Sequence, residues 1–206
     1  MPRPTRIQFP GAWYHVFNRG ARRQKIFLDR SDRERFLALV GEASSEFGLE
    51  VHAYCLMGNH YHLLVRTPEP NLASAMKQIV GSYTKAFNAR HGVDGPLFRS
   101  RYQSVVVDSD RYLLTVSRYI HRNPLEADIT DDLRSYEWSS FPAFAGASDK
   151  PEWLHVGETL EVAGTATRYE LFVETGGPDQ ELESFYAKQR LGQVLGSDQF
   201  KAGLAA

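Results

Sequence analysis

The stretch "LEVHAYCLMGNHYHLLVRT", residues 49–67, decides the fold of this 206-residue chain. It contains two apolar runs with branched and aromatic residues, which are typical of β-strands. The runs flank Gly58 and Asn59, two residue types that favour tight turns. The stretch therefore predicts a β-hairpin.

The segments around this hairpin extend the pattern of strands and helices. They predict, in order, a strand at 12–20, a helix at 30–48 with Ser31 as its N-cap, the two hairpin strands, a helix at 71–92, a strand at 102–108, and a helix at 109–124 that ends at Pro124. A β-α-β-β-α-β run is the ferredoxin-like split βαβ pattern. We therefore expect an α+β fold, with an antiparallel sheet and helices on one face.

Composition and charge change along the chain. A Gly/Ser/Asp/Pro-rich stretch, "GASDKPEW" at 146–153, predicts a linker, so we expect one domain at 1–145 and a small, mostly helical extension at 146–206. Residues 1–125 hold 18 Lys/Arg and 10 Asp/Glu, a net charge of +8, whereas 126–206 hold 6 and 15, a net charge of −9. This division suggests a basic body that meets phosphates and an acidic tail that restrains it, or simply two solvated surfaces of opposite sign.

Other features exclude whole classes of protein. No apolar run approaches the roughly 18 residues that span a bilayer, and the N-terminus lacks the apolar segment of a signal peptide. The single cysteine, Cys55, cannot form an internal disulfide and is expected to be buried. We therefore expect a cytoplasmic protein with no membrane partner.

Two histidines lie one residue apart at the start of the second hairpin strand. Residues i and i+2 of a strand point to the same face, so His60 and His62 are expected to project together. Two imidazoles are too few for a closed structural zinc site, so an ion held there would keep open positions for a substrate. The alternative is a pair of hydrogen-bonded histidines at a hairpin edge.

The last predicted helix of the domain adds a tyrosine and an amide. In "TVSRYIHRNP", Tyr119 and Asn123 are four residues apart and share one side of the helix. This pairing suits a nucleophile and a third metal ligand, with Asn123 at the fraying end of the helix before Pro124. Alternatively, Tyr119 is a core residue and Asn123 a C-cap.

Together these motifs resemble a known family. "MGNHYHLLV" is similar to the histidine-hydrophobe-histidine (HUH) motif of single-tyrosine transposases, and "YIHRNPLEA" resembles the tyrosine helix of their REP-associated branch. "YHVFNRG", "LFRSRYQSVVVDSDRYLLTVSRYIHRNP" and "YEWSSF" fit the same pattern, so the resemblance covers about residues 10–145. Tyr61 between the histidines and the acidic extension depart from the family pattern.

The resemblance implies a ferredoxin-like nuclease domain that acts on single-stranded DNA. His60 and His62 would be metal ligands, Asn123 a third ligand, and Tyr119 the nucleophile that forms a 5′-phosphotyrosine. The divalent ion would be Mg²⁺ or Mn²⁺, and the partner a hairpin of REP-like DNA. Whether the protein is a monomer stays open, with a monomer favoured.

Basic residues of the body are candidate phosphate contacts, accompanied by aromatic residues that suit stacked bases. The basic residues are Arg19, Arg22, Arg23, Lys25, Arg99 and Arg101, and the aromatic residues are Phe98 and Tyr102. Ordinary surface cations and core aromatics are the alternative reading.

Two other function classes remain open from the residues alone. One is a non-catalytic nucleic-acid-binding module on the same sheet. The other is a phosphodiesterase that uses water, in which Tyr119 only packs. A covalent protein–DNA adduct separates both from a transposase.

Overall fold

The computed structural model of the protein describes residues 6–177, 179–187 and 193–204. Its strands are β1 (Ala12–Arg19), β2 (Glu50–Leu56), β3 (His60–Thr67), β4 (Gln103–Val107) and β5 (Val194–Leu195). Its helices are α1 (Arg30–Phe47), α2 (Leu72–His91), α3 (Ser109–Glu126), α4 (Phe141–Phe144), α5 (Gly157–Ala163), α6 (Ala166–Thr175), α7 (Gln180–Tyr186) and α8 (Asp198–Gly203), with 3₁₀ turns at Ala21–Arg23 and Leu133–Ser135.

The strands form one sheet in the order β2-β3-β1-β4-β5. The first four strands pair antiparallel, and β5 runs parallel to β4. Because the first six large elements follow the β-α-β-β-α-β order, the predicted α+β, ferredoxin-like arrangement is confirmed.

The predicted β2–β3 hairpin is confirmed. A backbone hydrogen bond of 2.8 Å from the Met57 N–H to the His60 carbonyl closes its turn. On the other side of β3, strand β1 pairs so that Phe17 lies opposite His62 and Arg19 lies opposite His60. Directly opposite residues of antiparallel strands project from the same face, so β1 adds side chains beside both histidines.

The two faces of the sheet are covered by different helices. Tyr14 and Val16 of β1 pack in the core that contains α1 and α2. Trp13, on the alternate face, belongs to the core that contains Val116 and Ile120 of α3. The expectation of helices on one face therefore holds for α1 and α2, whereas α3 lies on the opposite face.

Helix α1 begins at Arg30, as predicted, but its capping residue differs from the expected one. Its N-cap is Asp29, whose side chain accepts a hydrogen bond of 3.1 Å from the Asp32 N–H, so the prediction of Ser31 as the cap is wrong. Aspartate caps a helix as well as serine does, so the two residues competed for this position.

Helix α3 continues past Pro124 to Glu126, so the predicted end at Pro124 is wrong. Proline removes one hydrogen-bond donor, but the following residues can still bond to the helix, and the Ala127 N–H donates to the Asn123 carbonyl at 3.1 Å. Asn123 therefore lies within the last turns of the helix and not at a fraying end.

Residues after 145 contact the rest of the protein at several points. The His155 N–H donates to the Val51 carbonyl at 2.8 Å, and β5 extends the sheet beside β4. Tyr169 of α6 packs with Phe141 and Phe144 in a third core cluster. The division into domains at 1–145 and 146–206 stays a prediction, and residues 1–5, 178, 188–192 and 205–206 within them lie outside the described residues.

Two smaller expectations concern burial and membranes. Cys55 is buried as a free thiol in the core beneath α3, as predicted. In the described part of the chain, no helix has both the length and the apolar character needed to cross a lipid bilayer.

Candidate active site

His60 and His62 lie together on the face of β3 that α3 covers, as the alternation of a strand requires. Their ring centroids are 5.1 Å apart. His62 is only 6% exposed, whereas His60 is partly exposed. The two imidazoles are therefore close enough to bind one ion, with His60 nearer to solvent.

Each ring is oriented through its Nδ1 atom. The His60 Nδ1 lies 2.6 Å from Oδ1 of Asn59, and the His62 Nδ1 lies 2.9 Å from Nε2 of His15. The His15 Nδ1 is hydrogen-bonded in turn to the hydroxyl of Tyr186. These bonds leave Nε2 of His60 and Nε2 of His62 available for a ligand, which is the arrangement found for histidines that bind metals.

Burial keeps both histidines neutral. It lowers the pKa of His60 to about 4, and the positive charge of Arg19 acts in the same direction. Burial also lowers the pKa of His62 well below its usual value, with further contributions from His15 and His60. Neutral imidazole is the form that binds a metal ion, so neither ring must lose a proton to do so at pH 7.

Tyr119 of α3 faces the histidines across the pocket. Its ring stacks on that of Tyr186, with centroids 4.9 Å apart and planes 12° apart. The rings of His15 and His62 approach it edge-on, each at a centroid distance of 5.8 Å. The structure therefore brings the predicted nucleophile beside the predicted metal ligands.

The environment of Tyr119 disfavours its phenolate. Burial raises the pKa of Tyr119, and the negative charges of Glu126 and Glu183 act in the same direction. The guanidinium of Arg19 opposes them. A positive charge near the Tyr119 oxygen would therefore favour the nucleophilic form.

Asn123 lies one helical turn after Tyr119, as predicted. Its Nδ2 donates a hydrogen bond of 2.7 Å to the Tyr119 carbonyl. A side-chain hydrogen-bonding interaction with Asn123 raises the pKa of His60. Because the amide nitrogen is used by the helix, the Asn123 oxygen is the atom left to face the histidine side of the pocket.

These groups line one pocket of about 360 Å³ between the sheet and α3. Its lining includes both polar and aromatic side chains, so it can hold both charged and planar groups. The lining residues are His15, Phe17, Asn18, Arg19, His60, His62, Arg99, Ser100, Gln103, Tyr119, Asn123 and Tyr186.

The predicted phosphate contacts divide into groups. Arg19 and Arg99 line this pocket, and Arg22 and Arg23 share a neighbouring concavity with Arg99. The remaining two are Lys25, which lines a separate concavity beside Phe87 and His91, and Arg101, which is exposed outside the lining of all three concavities.

The two aromatic residues near these cations are placed differently from the expectation. Phe98 and Tyr102 are 7% and 8% exposed and pack in the core beneath α1 and α2. The prediction that they stack on bases is therefore wrong, because their rings complete the core on the far side of the sheet.

The donor set fits a catalytic ion better than a structural one. Among the described residues, no three His, Cys, Asp or Glu side chains are grouped so that they could share a metal ion. Two imidazoles and the oxygen of Asn123 would therefore leave positions open for oxygens of a substrate.

Six of the lining residues were not predicted from the sequence, and two of them, His15 and Tyr186, form the hydrogen-bond chain that ends at His62. His15 lies between Trp13 and Phe17 on the same face of β1, because side chains two residues apart in a strand point the same way. This pattern would have indicated His15 as a pocket residue once the pairing of β1 with β3 was known. Tyr186 is 171 residues away from its partner His15, and no local signal connects the two.

Comparisons with known proteins identify the family of this chain. Residues 8–123 match the family model described as "Transposase IS200 like". No curated protein matches the chain in sequence. Among solved structures, a REP-associated tyrosine transposase bound to a REP hairpin has a TM-score of 0.59 and 16% identity, over 75% of this chain and 92% of the other.

A second solved structure, a putative transposase from Deinococcus radiodurans R1, has a TM-score of 0.40 and 19% identity, over 59% of this chain and 97% of the other. The family match spans more than half of the chain and includes His60, His62, Tyr119 and Asn123. The chain therefore belongs to the family of IS200-like transposases, enzymes that act on DNA.

Proposed function

We propose that this transposase cleaves and rejoins single-stranded DNA that carries a REP-like hairpin. The nucleophile is Tyr119, and the reaction depends on a bound Mg²⁺ or Mn²⁺ ion. The observation that carries the proposal is the convergence of Tyr119 and Asn123 with His60 and His62 in one pocket. The REP hairpin bound to the solved REP-associated transposase supports the choice of substrate.

His60, His62 and the oxygen of Asn123 would hold the ion. Mg²⁺ and Mn²⁺ prefer oxygen ligands, so phosphate oxygens of the DNA and water would occupy the remaining positions. When bound, the ion polarises the phosphoryl oxygens and neutralises charge that develops on them.

The covalent step exchanges one phosphate ester for another. The Tyr119 oxygen loses its proton and forms a bond to phosphorus, while the bond from phosphorus to the 3′ oxygen breaks. The departing 3′ oxygen takes up a proton, which leaves a 5′-phosphotyrosine and a free 3′-hydroxyl. Because the number of phosphodiester bonds is conserved, attack by another 3′-hydroxyl rejoins DNA without ATP.

The nearby positive charge of Arg19 assists this step. It lowers the pKa of Tyr119 against the effects of burial and of the Glu126 carboxylate. A phenol with a usual pKa of ~10 is a weak nucleophile at neutral pH, so this electrostatic assistance favours the reactive form. Arg19 also lines the pocket and can contact the scissile phosphate.

The DNA backbone is proposed to enter along the basic residues beside the pocket. Arg19 and Arg99 contact phosphates at the site, and Arg22 and Arg23 continue the path on the neighbouring surface. The predicted contacts at Lys25 and Arg101 would lie farther along the strand. We also propose that the protein works in the bacterial cytoplasm at the nucleoid, where its DNA substrate would lie. The monomeric state stays a prediction.

A denaturing gel tests this function directly. The protein is incubated with a hairpin oligonucleotide that has single-stranded flanks, labelled at either its 5′ or its 3′ end, with Mg²⁺ or Mn²⁺. We expect an adduct that resists denaturant and carries only the 3′-end label, because the tyrosine remains on the 5′ phosphate of the downstream fragment. EDTA should abolish it.

Other results would support the alternative functions. Cleavage without any adduct would indicate water as the nucleophile and a phosphodiesterase. Binding of the hairpin without cleavage, with either metal, would indicate a non-catalytic binding module.

A further inference from the structure

We infer that His15 and Tyr186 are positioning residues that fix the tautomer of His62, so that its Nε2 presents a lone pair to the pocket. The inference rests on the proposed function, in which His62 binds the metal ion. It assigns a role in the active site to α7, a helix that begins 57 residues beyond the end of the family match.

The hydrogen bonds permit only two arrangements of protons. Both rings are buried and are bonded to each other through one nitrogen each, and an imidazolium buried without a counter-ion is costly, so each ring is neutral and carries one proton. In the first arrangement, Tyr186 donates to His15, which donates through Nε2 to His62. In the second, His62 donates through Nδ1 to His15, which donates through Nδ1 to the Tyr186 oxygen.

Only the second arrangement leaves the His62 Nε2 without a proton. The first would place a proton on that atom and block it as a ligand. The guanidinium of Arg19, which lines the same pocket and lies opposite His60 in the sheet, favours the His62 tautomer that presents a lone pair to the pocket. The structure therefore selects the arrangement in which Tyr186 is the final acceptor.

His60 is oriented by a shorter chain of hydrogen bonds than His62 is. Its Nδ1 lies 2.6 Å from the Asn59 oxygen, and the Asn59 Nδ2 donates to the Arg23 carbonyl at 3.2 Å. This second bond fixes which end of the amide faces the ring, so the His60 Nδ1 must be the donor. His60 thus depends on its own hairpin, whereas His62 depends on β1 and on α7.

Tyr186→Phe separates the two roles of Tyr186. It keeps the ring that stacks on Tyr119 but removes the oxygen that accepts from His15. His15 is then free to move its proton to Nε2 and donate to His62, which forces the blocked tautomer.

Tyr112→Phe is a matched control, because Tyr112 also forms a hydrogen bond between α3 and α7. The Tyr112 hydroxyl of α3 donates to Oε1 of Glu181 in α7 at 2.5 Å. Tyr112 does not line the pocket. Tyr112→Phe therefore removes a tyrosine hydrogen bond between α3 and α7 without changing the histidine chain.

The first measurement is the tautomer itself, read from long-range ¹H–¹⁵N NMR correlations of the histidines in the full-length, metal-free protein. We expect His62 to carry its proton on Nδ1 in the wild type and in Tyr112→Phe, and on Nε2 in a larger share of molecules in Tyr186→Phe. A wild-type His62 protonated on Nε2, or an unchanged tautomer in Tyr186→Phe, would overturn the inference.

The second measurement is the binding of Mn²⁺ alone by calorimetry. Loss of an outer hydrogen-bond partner typically weakens metal binding by about 10–100-fold, so we expect this loss for Tyr186→Phe and no loss for Tyr112→Phe. His15→Gln, whose side-chain oxygen can still accept from the His62 Nδ1, should bind Mn²⁺ more tightly than His15→Leu does. Equal affinities for these two would reduce His15 to a packing role and overturn the inference.

The two measurements also separate this inference from the proposed function. If the wild type binds no Mn²⁺, the metal-dependent function fails, and the tautomer spectra alone still decide the direction of the hydrogen bonds. If the wild type binds Mn²⁺ and Tyr186→Phe binds it equally well, the function stands and the positioning role of Tyr186 is refuted.

Discussion

Tyr119→Phe is the most informative single substitution in this protein. It removes one oxygen and keeps the ring, so the stacking on Tyr186 and the edge contacts with His15 and His62 remain. Because packing is retained, we expect the free energy of unfolding to change by no more than about 0.5 kcal/mol. The adduct, in contrast, should disappear, and DNA cleavage should fall by about 10⁴-fold or more, as expected when a nucleophile is removed.

Tyr112→Phe is the matched control, because Tyr112 lies seven residues earlier on α3 and only 4% of it is exposed. Its hydroxyl is bonded to the exposed carboxylate of Glu181 and does not face the histidines. Losing this bond should cost about 1 kcal/mol of stability, at the low end for a charged partner because Glu181 is solvated. Adduct formation should persist.

The assay combines urea unfolding with the labelled hairpin gel, and the two variants should respond in opposite ways. Tyr119→Phe is expected to retain stability and DNA binding but form no adduct, whereas Tyr112→Phe is expected to lose stability and keep the adduct. An adduct that persists in Tyr119→Phe and vanishes in Tyr112→Phe would refute the choice of tyrosine. Cleavage that persists in both without an adduct would refute tyrosine catalysis.

Replacing His60 or His62 with Ala should abolish Mn²⁺ binding and formation of the adduct, and EDTA should do the same. His62→Ala should destabilise the fold more than His60→Ala does, because it removes a buried side chain. Full activity of either variant would contradict the proposed metal site. Arg99→Gln should weaken the binding of single-stranded DNA and reduce the magnitude of the slope of log K against log salt concentration by about 1. Lys25 lies outside the pocket, so Lys25→Gln should change the affinity and the slope less. Binding titrations at several salt concentrations compare the two variants. Burial lowers the pKa of His52 to about 3, and the nearby charges of His155 and Arg66 act in the same direction. Because this folded pKa lies below the unfolded value of about 6.5, His52 costs stability as the pH falls from about 6.5 to 3, by up to about 1.4 kcal/mol per pH unit. His52→Leu should therefore flatten the acid side of the stability profile in urea titrations, and a profile as steep as that of the wild type would contradict this.

Local patterns in the sequence were sufficient to predict the hairpin and to predict that Tyr119 and Asn123 lie on one side of a helix. A Gly-Asn turn and period-2 alternation place His60 and His62 on one face, and the helical period brings the tyrosine and the amide together. These signals depend only on the geometry of a single strand or helix, so they do not require knowledge of the tertiary fold.

The predictions from the sequence were wrong where two neighbouring residues could fill the same role, or where tertiary packing determined the position of a side chain. Asp29 and Ser31 are both good helix caps, and sequence alone does not choose between them. Helix α3 continues through Pro124 because the residues after it still find helical acceptors, as Ala127 does. Phe98 looks like a base-stacking residue beside Arg99 until the sheet assigns it to the core.

The C-terminal segment contacts the site in two ways with opposite consequences. Its Tyr186 stacks on Tyr119 and completes the hydrogen-bond chain to His62, whereas the carboxylate of Glu183 raises the pKa of Tyr119. If the predicted acidic tail restrains the protein by competing with phosphates, Glu183 adds a second restraint, because it disfavours the phenolate of the proposed nucleophile.

Deleting this segment would remove both effects at once. It would also remove Tyr169, whose hydroxyl is bonded to the buried His121 of α3 at 2.7 Å, and so leave a buried nitrogen of His121 without its partner. Weaker activity of a truncated chain could then reflect a disturbed α3 as easily as the loss of Tyr186. Single substitutions such as Tyr186→Phe leave the contact between Tyr169 and α3 in place, so they separate the contribution of α7 to the proposed metal site from its contribution to the fold.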